Sequence, residues 1–398
     1  MKQDWPLRPL GEVCEIKGGG TPSKDEKSFY QGSIPWATVR DMKGEIISST
    51  ECMITEEAVA KSSTNIVSAN NVVIATRVGL GKVCLIQQDT AINQDLRGVI
   101  PKNEKNLLVR YLYWWLKSVS HKIEEAGTGA TVKGVKLPFV KSLLIPVPER
   151  AEQQRIVAIL DEAFAGIATA TANAEKNLQN ARELFESTLQ SVFAEKRGGV
   201  EKRLGDAVVK VSTGPFGSLL HKSDYVSEGV PLVNPINIVN DVIVPDSRKM
   251  VNSGTQKRLQ TYLLNEGDIV IARRGEIGRC AVVTKEQSGW ICGTGCFFIK
   301  PSSELDPNFL VRLLRSSSYR DRLEAVATGA TMKNISNKAL SELMVSFPSR
   351  QEQTSILNRI HELEVDIQRL HSIYKQKISK FGELKQSILQ KAFAGELH

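Results

Sequence analysis

Thr128-Gly129-Ala130-Thr131-Val132-Lys133 returns, 200 residues further on, as Thr328-Gly329-Ala330-Thr331-Met332-Lys333. The same offset carries Pro148, Arg150, Glu152, Gln153 and Ile156 onto Pro348, Arg350, Glu352, Gln353 and Ile356. It also carries Leu189-Gln190-Ser191-Val192-Phe193-Ala194 onto Leu389-Gln390-Lys391-Ala392-Phe393-Ala394. An offset held constant over so long a stretch is not chance, and solenoid repeats have periods of only about 20–50 residues. The chain is two copies of a domain-sized module. Such a chain imitates a two-fold dimer, with internal pseudo-two-fold symmetry and two similar faces.

A length of 398 residues leaves room for two or three cores. Hydrophobic content of 41% and charged content of 24% are ordinary for a globular protein. No apolar run approaches the roughly 20 residues that a bilayer span needs. Met1-Lys2-Gln3-Asp4-Trp5-Pro6 lacks a signal-type apolar stretch, so the expected location is the cytoplasm. Six cysteines (14, 52, 84, 280, 292 and 296) form no CxxC and no zinc-type Cys/His spacing. Cys292-Gly293-Thr294-Gly295-Cys296 reads either as a metal or redox pair or, more simply, as two reduced structural thiols. The net charge of +8 is compatible with a polyanion partner without demanding one. Residues 1–198 hold 25 basic and 23 acidic side chains, and residues 199–398 hold 27 and 21, so the second half is the more basic.

Each copy opens with a strand-rich part. Leu10–Ile16 alternates and runs into the turn-rich Gly18-Gly19-Gly20-Thr21-Pro22-Ser23; Leu204–Val211 runs into Ser212-Thr213-Gly214-Pro215-Phe216-Gly217. Val72-Val73-Ile74-Ala75 and Ile269-Val270-Ile271-Ala272 are β-branched runs of the kind found in buried strands. Both lead into glycine-bearing basic loops, Thr76–Lys82 and Arg273–Arg279, and a short helix is expected after each, near Leu107–Ile123 and Pro307–Val326.

From residues 149 and 349 onward, Gly and Pro nearly vanish for some forty-five residues. Apolar residues then recur with alternating spacings of four and three, the seam of a coiled coil. In the first copy the seam runs through Ile156, Leu160, Ile167, Leu178 and Phe185. In the second it runs through Ile356, Ile360, Leu363, Ile367, Leu370, Ile378, Phe381 and Ile388. Both skip at one place, 174 to 178 and 374 to 378, a stutter that locally unwinds a supercoil. Ser349-x-x-Glu352 is a capping box that starts the second helix where the offset requires. A lone helix would leave this seam in water, so the two are expected to pair antiparallel, holding the strand-rich parts at opposite ends of a rod.

Catalytic signatures are missing. Gly79-Leu80-Gly81-Lys82 has the wrong spacing for a phosphate loop and lacks its hydroxyl, and no G-x-G-x-x-G joins a strand to a helix. Asn234-Pro235-Ile236 does not match the Asn/Asp-Pro-Pro-aromatic motif of amino-methyltransferases. Pro245-Asp246-Ser247-Arg248-Lys249 lacks the spaced acid-x-Lys partner of a nuclease core. Five histidines, three of them on or beyond the second long helix, leave little for a general base or a metal site.

Taken together, these residues resemble a specificity subunit of a type I restriction-modification system, over the whole chain. The resemblance rests on the helix entry Pro146-x-Pro148-x-x-x-Glu152-Gln153-x-x-Ile156 and on the ending Leu384–Leu397. It rests equally on the opening Trp5-Pro6-Leu7-x-x-Leu10-Gly11-Glu12-Val13 and on Gly32-Ser33-Ile34-Pro35-Trp36. The second copy departs from the latter with Gly229-Val230-Pro231-Leu232-Val233-Asn234, as expected of two domains that read different half-sites.

The resemblance implies an α+β chain of two strand-rich α/β target-recognition domains, separated by two long helices paired as an antiparallel coiled coil. The expected division is 1–148, target-recognition domain 1; 149–198, central helix; 199–348, target-recognition domain 2; 349–398, C-terminal helix. It implies no catalysis and no cofactor in this chain. The partners would be double-stranded DNA with a bipartite target, two adenine-methyltransferase subunits and restriction-translocase subunits. S-adenosylmethionine, ATP and Mg would sit on those partners. A DNA-recognition subunit of a related fused restriction-methylation system is an alternative, and a coiled-coil scaffold without nucleic acid is one of another class.

Candidate DNA contacts follow from what phosphates and base edges accept. Arg40 and Lys43 follow the Pro35-Trp36 turn, and Asn234 and Asn237 lie near the matching place in the second copy. Arg77 and Lys82, mirrored by Arg273, Arg274 and Arg279, occupy glycine-bearing loops that let backbone approach phosphate. Thr131 and Lys133, mirrored by Thr331 and Lys333, follow the repeated Thr-Gly-Ala turn. The plain alternative is a solvated charge for each basic residue and an architectural bend for the turn. Tyr111, Tyr113, Trp114 and Trp115 read as core in preference to a base-stacking platform, because Leu313, Leu314, Arg315 and Ser316 stand in their place in the second copy.

Overall fold

The computed structural model describes residues 5–129, 133–194, 199–216, 219–329 and 333–397. It divides into two compact units, residues 1–176 with 374–398, and residues 177–373. Each unit therefore takes one strand-rich part together with a portion of both long helices, Arg150–Ala194 and Arg350–Phe393.

In the first unit a five-stranded sheet has the order Cys14–Gly18, Leu96–Pro101, Val72–Ala75, Val83–Ile86 and Ile46–Ile47. A four-stranded sheet follows the order Cys52–Ile54, Ile34–Ala37, Thr90–Ile92 and Asn65–Val67, with Ile34–Ala37 and Thr90–Ile92 paired parallel. The second unit repeats the plan with Val208–Thr213, Cys296–Pro301, Ile269–Ala272 and Cys280–Val282. Val230–Val233 pairs parallel with Ile291–Cys292, setting Val233 against Cys292 as Ala37 is set against Ile92. The strands Val72–Ala75 and Ile269–Ala272 are buried along their whole length, which is why they read as unbroken β-branched runs.

The expected single helix after each sheet is instead two. Val109–Ser118 is followed by Ser120–Glu125, and Pro307–Arg315 by Ser317–Ala325. At the break Ser118 Oγ donates to the Trp115 carbonyl and Ser316 Oγ to the Leu313 carbonyl, both at 2.7 Å. A serine bonded back onto its own turn competes with continuation of the helix. Tyr111, Tyr113, Trp114 and Trp115 are all at most 2% exposed, so this cluster is core. Trp114 Nε1 donates to Asp161 Oδ1 at 2.7 Å and its ring lies 4.5 Å from that of Phe164, which fixes the first long helix to the sheet-bearing part.

Gln153 and Gln353 explain the repeated Glu-Gln at the helix entries. Both are fully buried. Gln153 Oε1 accepts from the Leu108 N–H (2.9 Å), and its Nε2 donates to the carbonyls of Asn106 (2.8 Å) and Pro148 (2.9 Å). Gln353 makes the same three bonds, each 2.8 Å, to Asp306, Glu304 and Pro348. Ser349 and Glu352 form the expected capping box, with Ser349 Oγ donating to Glu352 Oε2 at 2.7 Å.

The long helices run antiparallel within each unit. In the first, Arg155 Nη2 donates to the Leu397 carbonyl (2.9 Å), Lys385 lies over the Phe164 ring, and Ile156 and Leu160 share a core with Leu389 and Ala392. In the second, Arg182 meets His371 at 3.3 Å and Val192 shares a core with Ile356 and Ile360. Ile156, Leu160, Ile167, Ile356 and Ile360 are buried; Leu178, Phe185, Leu363, Ile367, Ile378, Phe381 and Ile388 are half-buried.

Leu370 corrects the sequence reading. It is 38% exposed, and His371 turns inward in its place against Arg182. The inward residues run 363, 367, 371, 374 and 378, so the stutter falls earlier in the second helix than the apolar pattern indicated. A second correction concerns apolarity. The helix Arg150–Phe193 contains an 18-residue window of mean hydropathy 1.3, long and apolar enough by length and composition to cross a membrane.

Candidate nucleic-acid interface

Four segments meet at one edge of each strand-rich part. In the first unit, Thr38 ends the strand Ile34–Ala37 and caps a single 3-10 turn, Val39–Asp41. Its N–H donates to Asp41 Oδ2 (2.7 Å), and Asp41 Oδ1 accepts from the Glu51 N–H (2.8 Å), so a buried carboxylate fixes the turn and leaves Arg40 exposed at its tip. The loop Thr76–Lys82 lies beside it: a Cβ added to Gly79 would come within 2.7 Å of Val39 Cγ1. Gly79 and Gly81 hold φ of 68° and 80°, which only glycine adopts without strain.

The same loop is joined to the repeated Thr-Gly-Ala turn. Thr128 and Gly134 exchange two backbone hydrogen bonds (3.0 and 2.9 Å), and the Val135 N–H donates to the Thr76 carbonyl (2.8 Å). The described ends of the turn are thus joined to each other and, through Val135, to the basic loop. Thr131 and Thr331 lie outside the described residues. Asn93–Asp95 completes the cluster, its position held by Arg97, whose Nη1 donates to the Gln94 (2.9 Å) and Leu96 (2.7 Å) carbonyls. Burial, with Arg77 nearby, lowers the pKa of Arg97.

The second unit repeats these joints. The Asn234 N–H donates to Asn237 Oδ1 (2.9 Å), the Gly293 N–H to the Val233 carbonyl (2.7 Å), and the Ile335 N–H to the Arg273 carbonyl (2.9 Å). Thr328 and Asn334 close the turn as Thr128 and Gly134 do.

The predicted residues separate accordingly. Arg40, Lys82, Lys133 and Arg274 are exposed, with no ion pair among the described residues. Lys43 pairs with Glu51 at 3.4 Å, Arg77 with Asp95 at 3.6 Å and Lys333 with Glu324 at 3.8 Å. Arg279 is paired with Glu276 and also approaches the Pro235 carbonyl (3.4 Å). Such solvent-facing pairs are each worth at most about 1 kcal/mol and can exchange for phosphate.

Two predicted contacts are engaged within the fold, Asn237 completely and Arg273 in part. Asn237 is 3% exposed, and both ends of its amide are used, Oδ1 by Asn234 and Nδ2 by the Val244 carbonyl (2.8 Å); no atom remains for a base edge. Arg273 turns inward, its Nε donating to Asn334 Oδ1 (3.0 Å) and its guanidinium lying over the Phe297 ring. Burial, with Arg274 beside it, lowers the pKa of Arg273. Asn234 is half-buried, with its side chain against Gly293.

Sequence reading missed other residues. A cleft of about 760 Å3 in the first unit is lined by Thr21, Lys24, Tyr30, Arg40 and Gln94. The signal was the Gly18-Gly19-Gly20 run: a Cβ on Gly19 would fall 2.0 Å from the Asn93 carbonyl oxygen, so this loop packs directly on the Asn93–Asp95 turn. Ile236, exposed, stands at the tip matching Arg40.

Comparison with known proteins places this arrangement. The family described as "Type I restriction modification DNA specificity domain" matches residues 2–179 and again 200–379. The specificity subunit of the type I restriction enzyme EcoR124I/EcoR124II of Escherichia coli is 43% identical over 166 residues, and the match spans 40% of each chain. Among solved structures, a chain from the complex assembly of a type I R-M system superposes with a TM-score of 0.74, at 19% identity and with 100% of both chains covered. The HsdS subunit from Thermoanaerobacter tengcongensis superposes with a TM-score of 0.65 at 19% identity, covering 99% of this chain and 97% of its own.

Proposed function

The chain belongs to the type I restriction modification DNA specificity family, and on that premise we propose that it is the DNA-reading, non-catalytic subunit of a cytoplasmic type I restriction-modification complex. Each strand-rich part reads one half-site of a bipartite duplex target, and the paired helices act as the spacer ruler. The chain positions two adenine-methyltransferase subunits, and restriction-translocase subunits in the full complex. S-adenosylmethionine, ATP and Mg belong to those partners. The domain division is that of four segments, 1–148, 149–198, 199–348 and 349–398.

The observation that carries this reading is the four-segment cluster, built twice on the same joints but presenting different side chains. A fixed scaffold with a variable tip is what two half-site readers need. Arg40, Lys82, Lys133 and Arg274 supply free cations for phosphate or guanine, and a good bidentate base contact discriminates by about 1–3 kcal/mol.

The test is exchange of residues 201–348 for the corresponding part of another family member, followed by mapping of methylated adenines in cells that also supply the methyltransferase. The expected outcome is one altered half-site and one retained. A change in both, or in neither, would refute independent readers.

A further inference from the structure

The turn that carries Arg40 in the first unit carries Ile236 in the second. The correspondence is structural. Ala37 and Val233 hold the same place on the parallel strand pair, and Thr38 and Asn234 each donate a backbone N–H to the side chain three residues on. Counting from these anchors, Arg40 and Ile236 are the same tip. Ile236 is 64% exposed, whereas Asn237 beside it is buried and pinned to Val244. An isolated exposed isoleucine is ordinary on a protein surface. This one stands on a rigid turn, in the position that the other copy gives to an arginine.

Its neighbours are cationic. The Pro235 carbonyl accepts from Arg279, and Pro235 and Arg274 both crowd Gly295, whose added Cβ would be 2.6 Å from Pro235 Cδ and 3.3 Å from Arg274 Nε. One arginine without an ion pair among the described residues, Arg274, and one paired with Glu276, Arg279, therefore flank an apolar tip. In a major groove the one apolar group that a base presents is the thymine 5-methyl, and aliphatic contact with it is a form of direct readout.

We propose that Ile236 is a specificity-determining residue that packs on a thymine methyl in the half-site read by the second unit. The inference rests on the function proposed above and deepens it. Arg40 and Ile236 then make one device with two readings, a hydrogen-bond donor for one half-site and a methyl contact for the other.

The experiment uses the chain in complex with its methyltransferase, on duplexes carrying the target found by methylation mapping. Each thymine of both half-sites is replaced singly by deoxyuridine, which removes only the methyl. For the wild type, one replacement, confined to one half-site, should weaken binding about threefold to tenfold, the range for losing one buried methyl. Ile236→Ala should bind the thymine and uracil duplexes equally, and Ile236→Val should keep part of the difference.

Three results would overturn the proposal: indifference of the wild type to every replacement, a sensitivity that survives in Ile236→Ala, or second-unit specificity for a half-site with no A·T pair. Loss of all sequence-specific binding by the complex is a separate outcome. It would defeat the functional reading itself, and this inference with it.

Discussion

Arg77 and Arg274 occupy the same loop in the two units, yet they meet different surroundings. Arg77 faces Asp95 at 3.6 Å, a carboxylate only 14% exposed. The residue in Asp95's place in the second unit is Gly295, pressed so closely on Pro235 that no side chain fits without a shift. Arg274 is therefore left without an acid among the described residues. Two loops with matching basic residues present different fields: one cation is half-neutralised, the other free. Charge in this molecule is tuned by what stands opposite the arginine, not by the arginine. The larger basic excess of the second half follows the same direction.

The comparison can be broken most forcefully in the helices, where the units should agree. Ile360 is 1% exposed and Leu370 is 38% exposed. Ile360→Asp should cost at least about 3 kcal/mol, from lost burial together with an unpaired buried carboxylate. Leu370→Asp should stay within about 0.5 kcal/mol, as for an ordinary surface change. Urea denaturation midpoints measure both, and equal losses would restore the seam through Leu370.

Next come the buried amides. Gln153→Leu and Gln353→Leu each leave a buried N–H and two carbonyls unpaired, at a cost of about 2–4 kcal/mol. Because the two sets of bonds match in partner type and length, the costs should lie within about 1 kcal/mol of each other on thermal unfolding. A clear inequality would show that only one entry is anchored in this way.

The loops themselves predict a smaller effect. Arg274→Ala should lower DNA affinity and reduce the slope of log K against log salt by about 1. Arg77→Ala should change the slope by less, since Asp95 already offsets part of that charge. Asp95→Gly should raise non-specific affinity. Titrations of the complex at several salt concentrations check all three, and equal slopes for the two alanine variants would erase the contrast.

The smallest effect is chemical. Burial pushes the thiols of Cys14 and Cys280 up to about 12 and raises those of Cys84, Cys292 and Cys296. A raised thiol pKa leaves little thiolate at pH 8, and burial blocks access as well. Cys52 alone is exposed. Native alkylation at pH 8, read by peptide mass, should label Cys52 first. Early labelling of the Cys292 and Cys296 pair would place it on an accessible surface.

Much of the architecture was legible because its cause is periodic. The repeat, the two helix entries and the capping box follow from spacing alone. Leu370 departs from the seam because a heptad count ranks residues by apolarity, while it is the polar residue next to it, His371, that faces the first helix, against Arg182. Within the site, the loops were legible as glycine-bearing basic segments, but their charge state was not. Asp95 lies eighteen positions from Arg77, and only the folded chain brings it opposite. Asn237 misled for a related reason: the amide that suits adenine equally suits two backbone groups. Ile236 carried no signal until its position could be set beside that of Arg40.

The two buried glutamines hold only main-chain atoms: one N–H and two carbonyls at each joint. A socket made of backbone makes no demand on the identity of the residues that form it. Leu108 and Asp306, unlike in every chemical respect, serve equally well. The recognition surfaces can therefore drift, even beyond any visible likeness, while the coupling to the helix stays interchangeable. In the language of engineering this is a standard fitting, and it makes a new specificity a matter of changing the tool without redesigning the handle.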